Sequence, residues 1–252
     1  MIIKNTPLEQ FDIISIFNLV NTNTFYLAVT NSTIFTLLIF LCFIFIFQFI
    51  NSNLKIIPTR WQILVEETFS FSKDLIEKNI GQQGLQFFPF IFFLFSFLIL
   101  SNLIGMVPYS FTITSHLFVT FSIALMLFIG INIIALKIHK LKFLGFFLPS
   151  GVHIALAPLL VPIEIVSYVA RVFSLAIRLF ANMMSGHTLL KIIAGFAWTM
   201  MSFGGIWYVL QLFPLLIIMA VTVLEIGIAI LQAYVFTILI CLYLNDAIHL
   251  AH

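Results

Sequence analysis

Charged residues are scarce in this chain. Only 8% of its 252 residues are Asp, Glu, Lys or Arg, and 62% are hydrophobic, whereas about 25% of the residues of a soluble domain are charged. So few charges cannot cover the surface of a core this apolar, which excludes a soluble globular protein. The composition indicates an all-α integral membrane protein with several spans.

Cysteine and net charge are low as well. Cys42 and Cys241 lie far apart in apolar runs, so neither a disulfide nor a metal site is expected from them. The formal net charge of +2 is too small to indicate a nucleic-acid partner. Glu9 and Asp12 interrupt the first 19 residues, so we expect no secretory signal peptide.

The first half of the chain predicts three spans and a surface helix, within a single membrane domain of residues 1–252. A short helix is expected near Leu8 to Phe17, followed by a first span at 32–50. Charged and apolar residues are interleaved over 58–84, which favours an amphipathic helix at the membrane surface over a solvated loop. Residues 87–136 are expected to form a helical hairpin that turns near Pro108.

The distribution of Lys and Arg predicts the orientation of these spans. Loop 51–86 holds four of them and loop 137–148 holds three, whereas the turn at 108–115 holds none. Lys and Arg are enriched in short loops on the inner side of a membrane. We therefore expect the N-terminus outside and both basic loops inside.

The second half contains two long helical runs, 152–197 and 207–244, which form the hairpin 152–244. Each would be about 60 Å long at about 1.5 Å per residue, twice the hydrocarbon thickness of about 30 Å. We expect two strongly tilted or bent helices in an antiparallel hairpin, because no Gly-Pro break follows Pro214. Gly204-Gly205 is the expected point of reversal.

Ionisable residues are concentrated in the first of these runs. Glu164, Arg171 and Arg178 are seven residues apart and therefore share one helical stripe. Asn182 lies near this stripe, whereas His187 points to the opposite side. Charges inside the hydrocarbon cost roughly 3 kcal/mol each on insertion scales, so such residues indicate a functional site.

The expected hairpin places polar residues of the two runs at matching levels. Counted from Gly205, Arg178 and Gln232 are equally distant, and His187 and Glu225 are nearly so. Glu225 and Gln232 are seven residues apart and share a face. The sequence therefore predicts that His187 lies close to Glu225, and that Arg178 is level with Gln232.

Structural explanations compete with these functional ones. Arg178 could be a packing anchor, His187 could form an ordinary bond between helices, and Glu225 could serve only as its partner. For Arg171, a bond to Glu164 or to lipid headgroups is the favoured interpretation. Four other histidines are expected at the membrane interface: His116, His139, His249 and His252. His153 is the exception, since its position near Pro158 would suit the lining of an inner vestibule.

Two segments carry a resemblance to a known family. Residues 178–187, RLFANMMSGH, and 224–236, LEIGIAILQAYVF, resemble subunit a of F-type ATP synthase. Thr6 to Asp12 and Tyr243 to Asp246 resemble its mitochondrial form. The resemblance covers nearly the whole chain.

The resemblance implies a stator subunit of the mitochondrial inner membrane, without catalytic activity or a cofactor of its own. Such a subunit passes protons through two half-channels to and from a rotating c-ring, and its neighbours are other stator and peripheral-stalk subunits and lipids. Arg178 matches the essential arginine. The implied proton path comprises Glu164, Asn182, His187, Glu225 and Gln232, and the auxiliary or structural residues are Arg171, Tyr234 and Asp246.

Two other classes remain open from the residues alone. A secondary proton-coupled transporter also carries charges at mid-membrane, but it usually contains an internal repeat, and we find none in this sequence. A purely structural assembly subunit would not need a titratable pair level across a hairpin. The coupling ion is a proton by resemblance only.

Overall fold

The computed structural model of the chain is mainly helical and describes residues 8–21, 26–52, 57–107, 110–140, 157–205 and 207–248. The helices are α1 Asn31–Ser52, α2 Arg60–Asn79, α3 Phe88–Gly105, α4 Leu117–His139, α5 Ala157–Phe203, α6 Trp207–Leu210 and α7 Leu212–Ile248. Within the described residues, five helical segments are long and apolar enough to cross a membrane. The predicted class, an all-α integral membrane protein, is confirmed.

The short helix predicted near Leu8 to Phe17 is wrong. The structure has only a 3-10 turn there, Glu9–Phe11, followed by strand β1, Ser15–Asn21. This strand pairs antiparallel with β2, Tyr26–Thr30. β1 reads SIFNLVN, and its β-branched and aromatic residues favour a strand, while a window this short gives no reliable helical period.

Helix α1 contains the predicted first span. For residues 58–84 the structure has helix α2, as expected, and not the solvated loop that was the alternative. Two of the residues that α2 buries are apolar, Leu75 and Ile76. On its exposed side, Lys73 and Glu77 form an ion pair at 3.8 Å, one turn apart. The helix is thus amphipathic, and its position at the membrane surface stays a prediction.

Helices α3 and α4 correspond to the two spans predicted in 87–136. Pro108 and Tyr109, the centre of the expected turn, lie outside the described residues. Residues 110–116 contain a 3-10 turn, Ile113–Ser115, and His116 stacks on Phe111 with ring centroids 5.0 Å apart. Burial lowers the pKa of His116 below its ordinary value, because a desolvated imidazole favours its neutral form.

Helix α5 is unbroken over 47 residues, about 70 Å at about 1.5 Å per residue. The expected continuity of this run is therefore confirmed from Ala157 onward, although Pro162 lies inside the helix, where its missing N–H removes one hydrogen bond of the backbone ladder. Gly204 and Gly205 then reverse the chain with φ values of 69° and 64°. Side chains rarely adopt such left-handed conformations, so glycine suits both positions.

The second long run is not continuous from residue 207 as predicted. The short α6 ends at Leu210, and α7 begins at Leu212. Gln211 joins them, since its N–H donates to the Trp207 carbonyl at 3.0 Å and its carbonyl accepts from Leu215 at 3.3 Å. The interruption coincides with Pro214, which has no N–H to donate to the Leu210 carbonyl and is favoured in the first turn of a helix.

The chain forms two compact units. The first comprises Met1–Gln48, Phe97–His116 and Leu179–Ala233, and the second comprises Phe49–Ser96, Leu117–Arg178 and Tyr234–His252. That all residues form one membrane domain, with strongly tilted long helices, stays a prediction.

Polar contacts tie α4 to its neighbours within the second unit. Tyr168 of α5 donates to Asn132 of α4 at 3.1 Å. His139 Nε2 at the end of α4 lies 3.1 Å from the carbonyl oxygens of both Ala247 and Ile248, at the end of α7. The predictions for His153, His249 and His252 concern residues outside the described part of the chain.

Candidate functional site

In the first unit, α5 and α7 are joined by two of the predicted residues. Asn182 Nδ2 donates to Gln232 Oε1 at 3.0 Å, and Gln232 is only 3% exposed. The predicted level for Gln232 was that of Arg178, and its bond goes to Asn182, one turn further along α5. Such a bond between amide side chains fixes the register of two antiparallel helices.

His187 and Glu225 line one cavity in the same unit, as the hairpin count predicted. The cavity has a volume of about 260 Å³, enough for several water molecules. Asn182, Ser185 and Gly186 also line it. The apolar lining residues are Met106, Met183, Leu189, Val221, Leu224 and Ile228.

The carboxyl group of Glu225 is the most unusual group at this cavity. Glu225 is 7% exposed, and neither of its oxygens has a hydrogen-bond partner among the described residues. His187 therefore shares the cavity with Glu225 without a direct bond to it. A buried polar group without a partner is costly, so this carboxyl group requires water, a proton or a moving partner.

The Glu225 carboxyl group occupies the space next to Gly186 that a Cβ atom would otherwise fill. A Cβ atom at Gly186 would lie 2.6 Å from Glu225 Oε1 and 2.8 Å from its Cδ. Cβ atoms essentially never show contacts this short, so a larger residue fits here only if the end of the Glu225 side chain shifts. Gly186 belongs to the segment 178–187 that carries the family resemblance, but the sequence alone does not explain why a glycine is needed at this position.

His187 has two further neighbours that the sequence did not predict. Thr112 Oγ1 lies 3.3 Å from His187 Nε2, and the ring of Phe11 meets the imidazole edge-on with centroids 6.4 Å apart. Both belong to connecting segments far away in sequence. No periodicity links them to His187, so only the fold could reveal these contacts.

Asn102 of α3 is a third residue that the sequence did not single out. It is fully buried, and its Nδ2 donates to the Ala229 carbonyl of α7 at 3.1 Å. Its Oδ1 has no partner within the described residues. An amide inside an apolar span is itself a signal of helix contact or function, and it could have been recognised.

The remaining predicted residues belong to the second unit. Glu164 is half-buried, whereas Arg171 and Arg178 are exposed on α5. Arg171 interacts electrostatically with Tyr243 and Asp246 of α7, whereas its predicted bond to Glu164 or to lipid headgroups stays a prediction. An arginine exposed on a membrane-spanning helix must be covered by protein or water.

Tyr234 contributes an aromatic contact in the second unit. Its ring lies 5.7 Å from the ring of Phe71 in α2, a contact that supports a structural role. Among the described residues, no group of three His, Cys, Asp or Glu side chains could hold a metal ion.

Comparison with known proteins identifies the family. The family model described as ATP synthase A chain matches residues 31–245. This chain belongs to that family. ATP synthase subunit a of Chondrus crispus is 49% identical over 247 residues, 98% of this chain and 97% of the relative. ATP synthase subunit a of Marchantia polymorpha is 49% identical to this chain over 249 residues, which are 97% of this chain and 98% of the relative. ATP synthase subunit a of Brassica napus is 48% identical over 258 residues, which cover 99% of this chain and 98% of the relative.

Proposed function

We propose that His187, Glu225 and Arg178 carry proton transfer in this member of the ATP synthase subunit a family. The chain is the proton-translocating, non-catalytic stator subunit of the membrane sector, and it is a multi-pass protein of the mitochondrial inner membrane. Its partners are the c-ring and other ATP synthase subunits. The observation that carries the residue assignment is the buried carboxyl group of Glu225, which has no hydrogen-bond partner among the described residues and lines the same cavity as His187.

The outer proton path runs through this cavity. His187 exchanges protons near neutral pH, and Glu225 accepts them through water that the cavity can hold. Asn182 and Gln232, joined at 3.0 Å, keep α5 and α7 in register beside the path. The short distance along α5 from His187 to Asn182 brings the proton toward the level of Arg178.

The inner path begins at Glu164. This half-buried carboxylate lies near the start of α5, on the side where the basic residues around Lys137 are expected. Asp246 and Arg171 interact electrostatically and set the charge around this entrance. Tyr234, packed on Phe71, supports the helix that carries Gln232.

Arg178 separates the two paths. A guanidinium keeps its proton at physiological pH, so it cannot relay protons. A carboxyl group of the c-ring that faces lipid stays neutral, because its charged form is poorly solvated there. Beside Arg178 the same group ionises and releases its proton to one path before it is reloaded from the other.

The test of this function is the replacement of Arg178. Arg178→Ala should abolish proton-driven ATP synthesis and raise passive proton conductance, because no fixed cation then separates the paths. Arg178→Lys should fail largely too, since an ammonium group lacks the planar fork and can lose its proton when buried. Both activities are measured in vesicles that hold the assembled complex.

Near-normal coupled synthesis with Arg178→Ala would refute the mechanism. Ser174→Ala is a matched control, because Ser174 is an exposed α5 residue one turn before Arg178. It should leave synthesis and conductance unchanged. Co-purification of each variant with the c-ring confirms that assembly is intact.

A further inference from the structure

The segment between α3 and α4 presents one side chain to the ring of His187. Thr112 precedes the 3-10 turn Ile113–Ser115 in an extended conformation, with φ −88° and ψ 109°. Its side chain is buried, with 4% exposed. Its Oγ1 lies 3.3 Å from His187 Nε2, so little water can compete for this contact.

The backbone of Thr112 is fixed from both sides. Ser115 donates to the Thr112 carbonyl through its hydroxyl at 2.6 Å and through its N–H at 3.4 Å. Before it, the Ser110 hydroxyl lies 2.6 Å from the Ile104 carbonyl oxygen and 2.7 Å from the Val107 carbonyl oxygen and donates its one proton to either of them. The segment is thereby tied to the end of α3.

The side chain of Thr112 is fixed as well. Its Cγ2 methyl occupies the space next to Gly105 of α3, where an added Cβ atom would collide with that methyl and lie 3.3 Å from Thr112 Cβ. The χ1 angle of a β-branched residue is stiff. With the methyl held against Gly105, the hydroxyl keeps one direction, toward His187.

We infer that Thr112 is a positioning residue that holds the imidazole of His187 in one orientation while the ring gains and loses its proton. A hydroxyl can donate to a bare Nε2 and can accept from a protonated one, so the contact survives both states of the ring. The ring of Phe11 bounds the same imidazole edge-on. The inference rests on the proposed role of His187 in the outer path.

The first experiment removes the hydroxyl and keeps the shape. Thr112→Val should lower passive proton flux and coupled ATP synthesis about two- to tenfold, the range that one net hydrogen bond represents. Thr112→Ser keeps the hydroxyl and should stay within about twofold of the unmodified protein. The measurements use vesicles with the complete complex, normalised to the amount assembled.

Thr114→Val is the matched control. Thr114 belongs to the same 3-10 turn and is equally buried, with 1% exposed, but its hydroxyl has no hydrogen-bond partner in the described part of the chain. Its replacement should leave the flux unchanged. If Thr112→Val prevents assembly, Thr112→Ser and Thr112→Ala provide the comparison, since these two variants differ only in the hydroxyl. Thr112→Ala should then show the lower proton flux of the two.

A double-mutant cycle with His187→Ala separates positioning from a general packing effect. Thr112→Val should add almost no further loss when His187 is already alanine. The inference is overturned by unchanged flux in Thr112→Val, by equal losses in Thr112→Val and Thr114→Val, or by a full additional loss in the double variant. Unchanged flux in His187→Ala alone would instead refute the proposed outer path and this inference with it.

Discussion

Glu225 is a carboxyl group that the protein buries beside a glycine and leaves without a hydrogen-bond partner among the described residues. Such an arrangement is costly for folding, and it makes the group responsive to any proton or water that enters. His187 lines the same cavity, which has a volume of about 260 Å³. At the scale of single residues, we therefore expect this site to exchange protons and not to hold a permanent ion pair.

The partnership of His187 and Glu225 can be tested by exchange. His187→Glu and Glu225→His should each reduce proton transport, because each leaves two like groups at one cavity. The double variant restores one acid and one imidazole and should transport protons better than either single variant. Proton pumping in vesicles with assembled complex measures this, and a double variant no better than the worse single one would exclude the pairing.

The close approach at Gly186 makes a second prediction. Gly186→Ala should displace the Glu225 carboxyl group, since its Cβ would lie 2.6 Å from Oε1. Because this carboxyl group is the far end of a flexible side chain, it can move aside at little cost in stability, so we expect a several-fold loss of proton flux with a thermal stability close to that of the unmodified protein. Thermal stability and flux of the assembled complex measure the two effects.

Gly195→Ala is the control for this prediction. Gly195 lies in the same helix, and an added Cβ there meets nothing within 4 Å. Because alanine favours a helix over glycine, this variant should be at least as stable as the unmodified protein. Equal behaviour of the two variants would show that the Gly186 contact does not constrain Glu225.

The sequence predicted one part of this site and could not predict another. Counting along an antiparallel hairpin placed His187 near Glu225, because α5 and α7 are regular and only the single residue Gln211 interrupts the helical run between the reversal and Glu225. Thr112 and Phe11 reach His187 from irregular segments, whose paths depend on packing and not on any period. The bond from Gln232 to Asn182 falls one turn from the predicted level, because the centre of the reversal was assumed and the short α6 precedes α7.

At the scale of elements, glycine and proline mark where the long helices end and begin. Gly204 and Gly205 have φ values that other residues rarely adopt, and Pro214 lies in the first turn of α7, which starts after Gln211. The sequence predicted the reversal from its glycine pair. It did not predict the interruption between α6 and α7, because the apolar pattern continues through the position where the N–H of Pro214 is missing. It did not predict the β-hairpin either, because a segment this short shows no reliable period and its strand propensity was not weighed.

The reversal can be tested at Gly205. An added Cβ there meets nothing within 4 Å, so any cost of Gly205→Ala is conformational, about 1–2 kcal/mol. Gly205→Asn should cost less, because asparagine enters this conformation more readily, and Gly205→Val should cost more. The thermal stability of the complex measures this order, and equal stability of all three variants would contradict it.

At the scale of the whole molecule, five segments long and apolar enough to span and the distribution of Lys and Arg predict one orientation. The N-terminus and the Gly204-Gly205 reversal are then outside, and the basic residues after α4 are inside. With this orientation we predict that protons reach His187 from the outer side and Glu164 from the inner side.

The orientation is measured by the labelling of single cysteines with an impermeant thiol reagent. In a variant with Cys42 and Cys241 replaced by serine, Ser110→Cys should react from the outer side of the inner membrane. Lys140→Cys should react only after the membrane is permeabilised. The reverse pattern would invert the assignment of the two paths, and reaction of both from one side would contradict the number of spans.

The junction between α6 and α7 has a consequence for motion. Around Leu210 the backbone ladder lacks the bond that Pro214 cannot donate, and the contacts of Gln211 with Trp207 and Leu215 bridge the gap. Local opening starts where few hydrogen bonds must break. We therefore expect the four residues of α6 to open locally more often than the turns that carry His187 and Glu225, so their amide hydrogens should exchange with solvent first.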